Sequence, residues 1–584
     1  MSRHSSTVLS ISGRGDGPVR LEGVQARALE KGRNRLVVTG VVLTLAYALI
    51  TWRLVDLTVL APATEPRLSR ATDEGPARTT STVGRANIVD RTGIVLATSL
   101  PTVSLYANPA DVLDAAEATR RLAAVLPDLD RDRLRAKLST DGTFVWIKRN
   151  LTPKQHYKVN RLGLPGLYFQ RAERRVYPHG REASHLLGLT DIDGRGLSGV
   201  EKNFDRRLRG GADDLALSID IRIQAVLRHE LSKSVTEFSA RGAAGVVMDV
   251  NSGEVLGLVS LPDFDPNDAA SAHGDAAFNN ATKGVYEMGS TFKLFTTAMA
   301  LDSGTVDLDD GYDASKPIRI SRFTISDYHA KNRWLSVPEI LVYSSNIGAA
   351  KMALDVGAKA QQEYLRKFGL LDPATIELPE VGTPLKPVRW RDINAMTISY
   401  GHGIAVSPLQ LAGAVTILVN GGIRRPTTAL RSGKSAPAGE RVLSDETSRH
   451  MCDLMRLVVR HGTGRNAEAR GYLVGGKTGT AEKLGAGGYR HGNLISSFVG
   501  VFPTSAPRYV VLAVIDEPKG TTRTHGYATG GWVAAPVVGR VVARMAPLVG
   551  LSPVEEDTET TTSDSLFIKT RATGPARGRD LAAN

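Results

Sequence analysis

The chain has 584 residues, 42% of them hydrophobic and 23% charged, which is enough for more than one core and excludes a fibrous or wholly disordered protein. Its formal net charge is +13, yet Lys and Arg are spread along the sequence instead of clustering with aromatics. That argues against nucleic-acid binding and suits work beside an anionic lipid or polymer.

In chain order, residues 1–35 read as a cytoplasmic tail, with Arg3, Arg14, Arg20, Arg27, Lys31, Arg33 and Arg35 against Asp16, Glu22 and Glu30. Residues 36–58 read as a single transmembrane anchor, since nothing from Leu36 to Trp52 is charged and Arg35 and Arg53 are placed to snorkel. The basic tail then puts the N-terminus inside and the rest outside. A cleaved signal peptide is the rival, because Ala61-Pro62-Ala63 has an A-x-A pattern, but the apolar run exceeds the usual signal length. Residues 59–83 form a Pro/Thr/Ser/Ala linker without a period.

A first folded body spans 84–237. It opens on a β-hairpin around Asp90-Arg91-Thr92-Gly93 and carries Arg175-Val176-Tyr177-Pro178 and Gly194-Arg195-Gly196-Leu197-Ser198-Gly199-Val200-Glu201, with no catalytic constellation. His179 and His185 lack neighbours that would complete a metal-ligand set. A second body spans 238–548. It begins with two apolar strands about the turn Asn251-Ser252-Gly253, continues through helices and returns to strands from Gly475 to Ile515. This is an α+β pattern in which one antiparallel sheet is covered by helices. Cys452, alone in the chain and set in the amphipathic run 451–459, reads as a small core residue, and residues 549–584 as a disordered tail.

Three motifs of the second body carry chemistry. Ser290-Thr291-Phe292-Lys293 offers a nucleophile with a base three residues on, on one helix face. Burial and a second cation, for which Lys477 is the candidate, would lower the Lys293 pKa enough to accept a proton. In Ser344-Ser345-Asn346, Ser344 suits proton relay to a leaving amine, and the Asn346 amide suits a substrate carbonyl. Lys477-Thr478-Gly479-Thr480 falls on a strand, where Gly479 lets a peptide approach the sheet edge. Lys477, Thr478 and Thr480 there suit a terminal carboxylate. A Ser-x-x-Lys match alone is a weak signal; the ordered set is far stronger.

With Gly284-Val285-Tyr286-Glu287, Ser399-Tyr400-Gly401-His402-Gly403, Ser407 to Ala412 and Asp516-Glu517-Pro518-Lys519, these motifs resemble a class B penicillin-binding protein from the anchor to about Pro547. No glycosyltransferase domain is read ahead of the first body, which favours class B over class A. The stretches from Arg175 and from Gly199 to Asp205 look most like the division-specific septal enzyme of Gram-negative bacteria, with the elongation-specific relative as runner-up.

The resemblance implies a transmembrane helix, a β-rich non-catalytic pedestal and a penicillin-binding transpeptidase domain, in the cell inner membrane with the catalytic part periplasmic. It implies D,D-transpeptidation of D-Ala-D-Ala stem peptides through a Ser290 acyl-enzyme, acylation by β-lactams, and an oxyanion hole from the Ser290 and Thr480 N–H groups. It implies divisome partners, among them a multi-span glycan polymerase, and no cofactor or metal. Met288 departs from the proline usual before the Gly-Ser pair. A β-lactamase or carboxypeptidase would share the motifs. Glu377 and Glu380, the carboxylates nearest to where a deacylating base would stand, fall in Pro-rich loop sequence. A non-catalytic β-lactam sensor or divisome scaffold is the reading from another class.

Overall fold

The computed structural model describes residues 84–554, apart from 212, 321–322, 434–436 and 486–487, together with several positions between 37 and 52. Of the tail, anchor and linker read from the sequence, only positions 37, 40–41, 43–49 and 51–52 are described; they are helical and exposed, and the rest lies outside the described residues. Among the described residues no helix is long and apolar enough to cross a membrane. Most of the C-terminal tail also lies outside them, although Val554 N still donates to Gly471 O at 2.8 Å.

The first body is built on β1 (Ile88–Val89) and β2 (Val95–Ala107), the predicted hairpin. Its turn holds because Asp90 Oδ1 accepts from Thr92 N and Ile94 N, while Gly93 takes a φ of 91°. Helices α1 (Ala115–Val125) and α2 (Arg131–Leu138) start at Asp114 and Asp130, whose carboxylates accept from first-turn N–H groups. They cover β2 and β3 (Val145–Leu151) through Leu105, Leu122, Leu126, Ile147 and Leu151. Strand β4 (Leu167–Val176) flanks β2 on its other side, and β5 (Leu215–Ala216) pairs parallel to β1.

The two sequence stretches singled out in this body meet at a buried ion cluster. Glu201, fully buried, accepts from Arg85 Nε at 2.6 Å and Arg175 Nε at 2.7 Å, and Arg85 also reaches Asp205 at 2.7 Å. Two guanidiniums on one carboxylate keep that charge paired away from water. Beside it, backbone packs on backbone: a Cβ at Gly188 would stand 1.9 Å from Ser198 O.

The strands of the catalytic sheet lie in the order Gly475–Gly485, Gly488–Phe502, Tyr509–Asp516, Gly242–Asp249, Val255–Leu261, every neighbour antiparallel. In chain order its parts are α3 (Ile221–Glu237), β6 (Gly242–Asp249), β7 (Val255–Leu261), α4 (Lys293–Asp302), α5 (Asn346–Val356), α6 (Pro408–Val419) and α7 (Asp445–His461). They are followed by β8 (Gly475–Gly485), β9 (Gly488–Phe502), β10 (Tyr509–Asp516) and α8 (Gly530–Met545). The strands are apolar on both faces because helices cover both. Leu227 of α3 and Val538 of α8 share one core with Val247 and Phe498. Phe295, Leu418 and Leu454, from α4, α6 and α7, pack on Val246 across the sheet. This leaves β8 at the sheet margin, next to the turn that carries Ser290. Cys452 is buried in α7, where desolvation pushes its thiol up to about 12.

The first body rests against the catalytic one through segment 376–382. Leu378 and Ala429 join Ile88 and Leu186 in one core, and Gly199 N donates to Glu380.

Candidate active site

Ser290 sits in a short 3-10 turn, Gly289–Phe292, that runs directly into α4, so Lys293 lies one turn ahead of it on the same face. Lys293 Nζ is 2.9 Å from Ser290 Oγ, 2.7 Å from Ser344 O, 3.1 Å from Ser344 Oγ and 2.7 Å from Asn346 Oδ1. A neutral amine has two N–H donors and one lone pair. The two shortest contacts, a carbonyl and an amide oxygen, can only accept, so they take both donors. The lone pair is left to receive a hydroxyl proton from Ser290 or Ser344.

The environment favours that neutral form. Lys293 is fully buried, and its pKa falls well below the ordinary 10.5, through desolvation first and repulsion from Lys477 second, while Asp327 pulls the other way. Lys477 is also fully buried, and desolvation brings it down to about 7. The second cation therefore acts as anticipated, but burial outweighs it. Lys477 Nζ stands 3.0 Å from Ser344 Oγ, so this hydroxyl bridges the two amines and can accept from one while donating to the other.

Ser344 holds a φ of 60°, the left-handed region that serine seldom adopts. The next residue holds it there: Ser345 caps α5, with its Oγ accepting from Gly348 N at 3.0 Å. On β8, Thr478 and Thr480 point to one side. Thr478 Oγ1 lies 3.2 Å from Lys477 Nζ and 2.7 Å from Thr463 Oγ1, and Thr480 Oγ1 accepts from Gly530 N at 3.0 Å. Glycines set how closely strand and nucleophile turn approach. A Cβ on Gly479 would be 2.3 Å from Met288 O, and one on Gly289 would be 2.6 Å from Thr480 O.

Ser290, Lys293, Ser344, Asn346, Lys477 and Thr478 are thus joined by hydrogen bonds, and Gly479 and Thr480 lie against the turn that carries Ser290. Glu377 and Glu380 stand apart: the first accepts from Thr428 Oγ1 and Ala429 N, the second from Gly199 N, away from Ser290 and at the seam with the first body. His185 is buried with Nε2 2.9 Å from Ala276 O, and desolvation lowers its pKa to about 4. Among the described residues no group of His, Cys, Asp and Glu is arranged to hold a metal. Asp327 and Thr463 were missed. Both lie outside the motifs, and nothing in their local sequence marks them.

A serine on a helix-entry turn, a buried lysine pair and a bridging serine beside an edge strand define a serine acyl-transfer fold. The chain belongs to the penicillin-binding proteins: residues 243–543 match the penicillin binding protein transpeptidase domain and 80–220 the penicillin-binding protein dimerisation domain. It is 43% identical over 481 residues, 80% of this chain and 82% of the relative, to "Probable peptidoglycan D,D-transpeptidase FtsI" of Caulobacter vibrioides. It is 32% identical over 525 residues, 84% of this chain and 87% of the relative, to "Peptidoglycan D,D-transpeptidase FtsI" of Escherichia coli strain K12. A peptidoglycan synthetase structure from Bifidobacterium adolescentis shares the fold, with a TM-score of 0.65 at 24% identity over 81% of this chain and 97% of that one.

Proposed function

We propose that this chain is a peptidoglycan D,D-transpeptidase of the FtsI type, with Ser290 as nucleophile and Lys293 as its base. The observation that carries it is the convergence of Ser290 Oγ, Ser344 Oγ and Asn346 Oδ1 within 3.1 Å of one buried amine. Ser290 gives its proton to Lys293 as Oγ bonds to the carbonyl carbon of the penultimate D-Ala. The Ser290 and Thr480 N–H groups face the oxyanion. The C–N bond to the terminal D-Ala then breaks, and the proton passes from Lys293 through Ser344 to the leaving amine. An amine of a neighbouring stem attacks the ester carbonyl carbon, the bond to Ser290 Oγ breaks, and the amine's proton returns through Lys293 to Oγ. Lys477 with Thr478 and Thr480 holds the terminal carboxylate, whose charge would push the Lys477 pKa back up, and Gly479 admits the peptide along β8.

Incubated with a D-Ala-D-Ala-terminated donor stem and an acceptor stem carrying a free amine, the protein is expected to release one D-Ala for each cross-linked dimer formed. Release without dimer would make it a carboxypeptidase.

The finer reading is a septal enzyme in the cell inner membrane, held by an anchor at 36–58 with the catalytic domain periplasmic, open to β-lactams and working with divisome partners that include a glycan polymerase. The FtsI names of the relatives and the positive-inside tail support it. A fluorescent fusion is expected to collect at the division site, and signal along the lateral wall would turn the reading to elongation.

A further inference from the structure

Ser345 holds Ser344 from within the second motif, but that cap is itself supported from outside the motif. Ser344 is in a strained conformation, and Asn346 must turn its oxygen, not its nitrogen, toward Lys293. The segment before residue 333 supports both, Asn346 directly and Ser344 through Ser345. Asp327 Oδ1 accepts from Asn346 N at 2.6 Å and Ile347 N at 3.0 Å, and its Oδ2 accepts from Ser345 Oγ at 2.7 Å. The adjoining Ser326 O accepts from Asn346 Nδ2 at 2.9 Å, which leaves Oδ1 facing inward. A carboxylate on the opening N–H groups of α5 is well placed, because those donors lack helical partners and carry the positive end of the dipole.

We propose that Asp327 is a positioning residue of the acyl-transfer site: its carboxylate pins the start of α5, and with it Ser344 and Asn346, against Lys293. The inference rests on the reading of Ser290 as nucleophile and Lys293 as base. Charge adds a second role to the same residue. The charged groups that act on Lys293 are Lys477 from β8 and Asp327 from this loop, and they oppose each other. Asp327 favours the ammonium, so it limits how far the base is depressed. The nearest imidazole on the loop, His329, is exposed and lies edge-on to Tyr328 at 4.6 Å.

The test is the rate of acylation by a fluorescent penicillin, followed from about pH 5 to 9 so that the acidic limb of the profile is visible. Asp327→Ala removes the cap and the charge, and its rate is expected to fall about 10- to 100-fold, the cost of displacing reacting groups by a fraction of an ångström to one. Asp327→Asn keeps an acceptor toward Asn346 N and Ile347 N but loses the charge. It is expected to retain more activity than the alanine variant and to move the acidic limb to lower pH, because the Lys293 ammonium loses its counter-charge. A structural role alone would leave the limb in place.

An alanine variant within about twofold of the wild type with the limb unmoved would overturn the inference, twofold being the scale of ordinary surface changes. So would an asparagine variant whose limb stays put or rises, and this variant decides the matter if the alanine protein does not fold. An unlabelled wild type overturns the acyl-enzyme reading itself, a result distinct from labelling that Asp327 fails to influence.

Discussion

Ser290→Ala is expected to abolish covalent labelling by a fluorescent penicillin, with a loss of at least about 10³-fold, since nucleophile removal in other serine acyl-transfer enzymes costs more than that. The label is an ester on Oγ, and the substitution deletes the one atom that can form it. The nearest substitute is Ser344 Oγ, 3.1 Å from the same amine. It is poorly placed to replace Ser290, because it precedes the cap of α5 and takes a contact from Lys477, while Ser290 opens the turn into α4. Little else should change. Ser290 is half-buried, and Lys293 keeps Ser344 and Asn346 as partners in its absence. The variant should unfold within about 1 kcal/mol of the wild type, as small substitutions usually do. Persistent label on a folded Ser290→Ala protein, mapped to Ser344 or elsewhere by mass spectrometry, would refute the site assignment.

How far the sequence announced this depends on the range of the interaction. The hairpins were legible because turn residues act locally: Asp90 reaches residues two and four ahead of it. The sheet was legible because β6, β7 and β10 are almost wholly apolar runs, and Lys293 was legible because a helical turn fixes a spacing of three. Asp327 stands 19 residues before Asn346 and meets it only through the fold, so no period or spacing could flag it. The same holds for Thr463, brought to Thr478 by the packing of α7 against β8. The helix Ile221–Glu237 falls inside the span 84–237 read from the sequence as the first body, yet its Leu227 and Leu231 lie in the catalytic core with Phe498. Amphipathicity shows that a helix has an apolar face, not which sheet it will cover. The weight of burial over charge on Lys293 was also out of reach, because desolvation is a property of the assembled core.

Lys293→Met should separate chemistry from folding more sharply than any other change in the site. Methionine is unbranched and close to lysine in length, so it fills the same channel without the charge. Acylation is expected to fall about 10²- to 10⁴-fold, the usual contribution of a positioned general base, and its pH profile should lose the limb that reports the amine. Stability should respond differently. Burial and Lys477 hold the folded-state pKa of Lys293 well below the 10.5 of an exposed lysine. Between those two values the unfolded chain binds more protons than the folded one, so the wild type gains stability relative to Lys293→Met as pH rises toward 10.5. Below the folded value the unfavourable term is present in full, and above 10.5 it is gone. Losing the amine also leaves Ser344 O and Asn346 Oδ1 without a donor, which costs the variant something at every pH and does not alter the slope. Urea midpoints of both proteins, measured across the alkaline range, read the difference directly. A wild-type advantage that stays constant or shrinks with rising pH would mean that Lys293 is charged in the folded protein, and the base would have to be sought in Lys477.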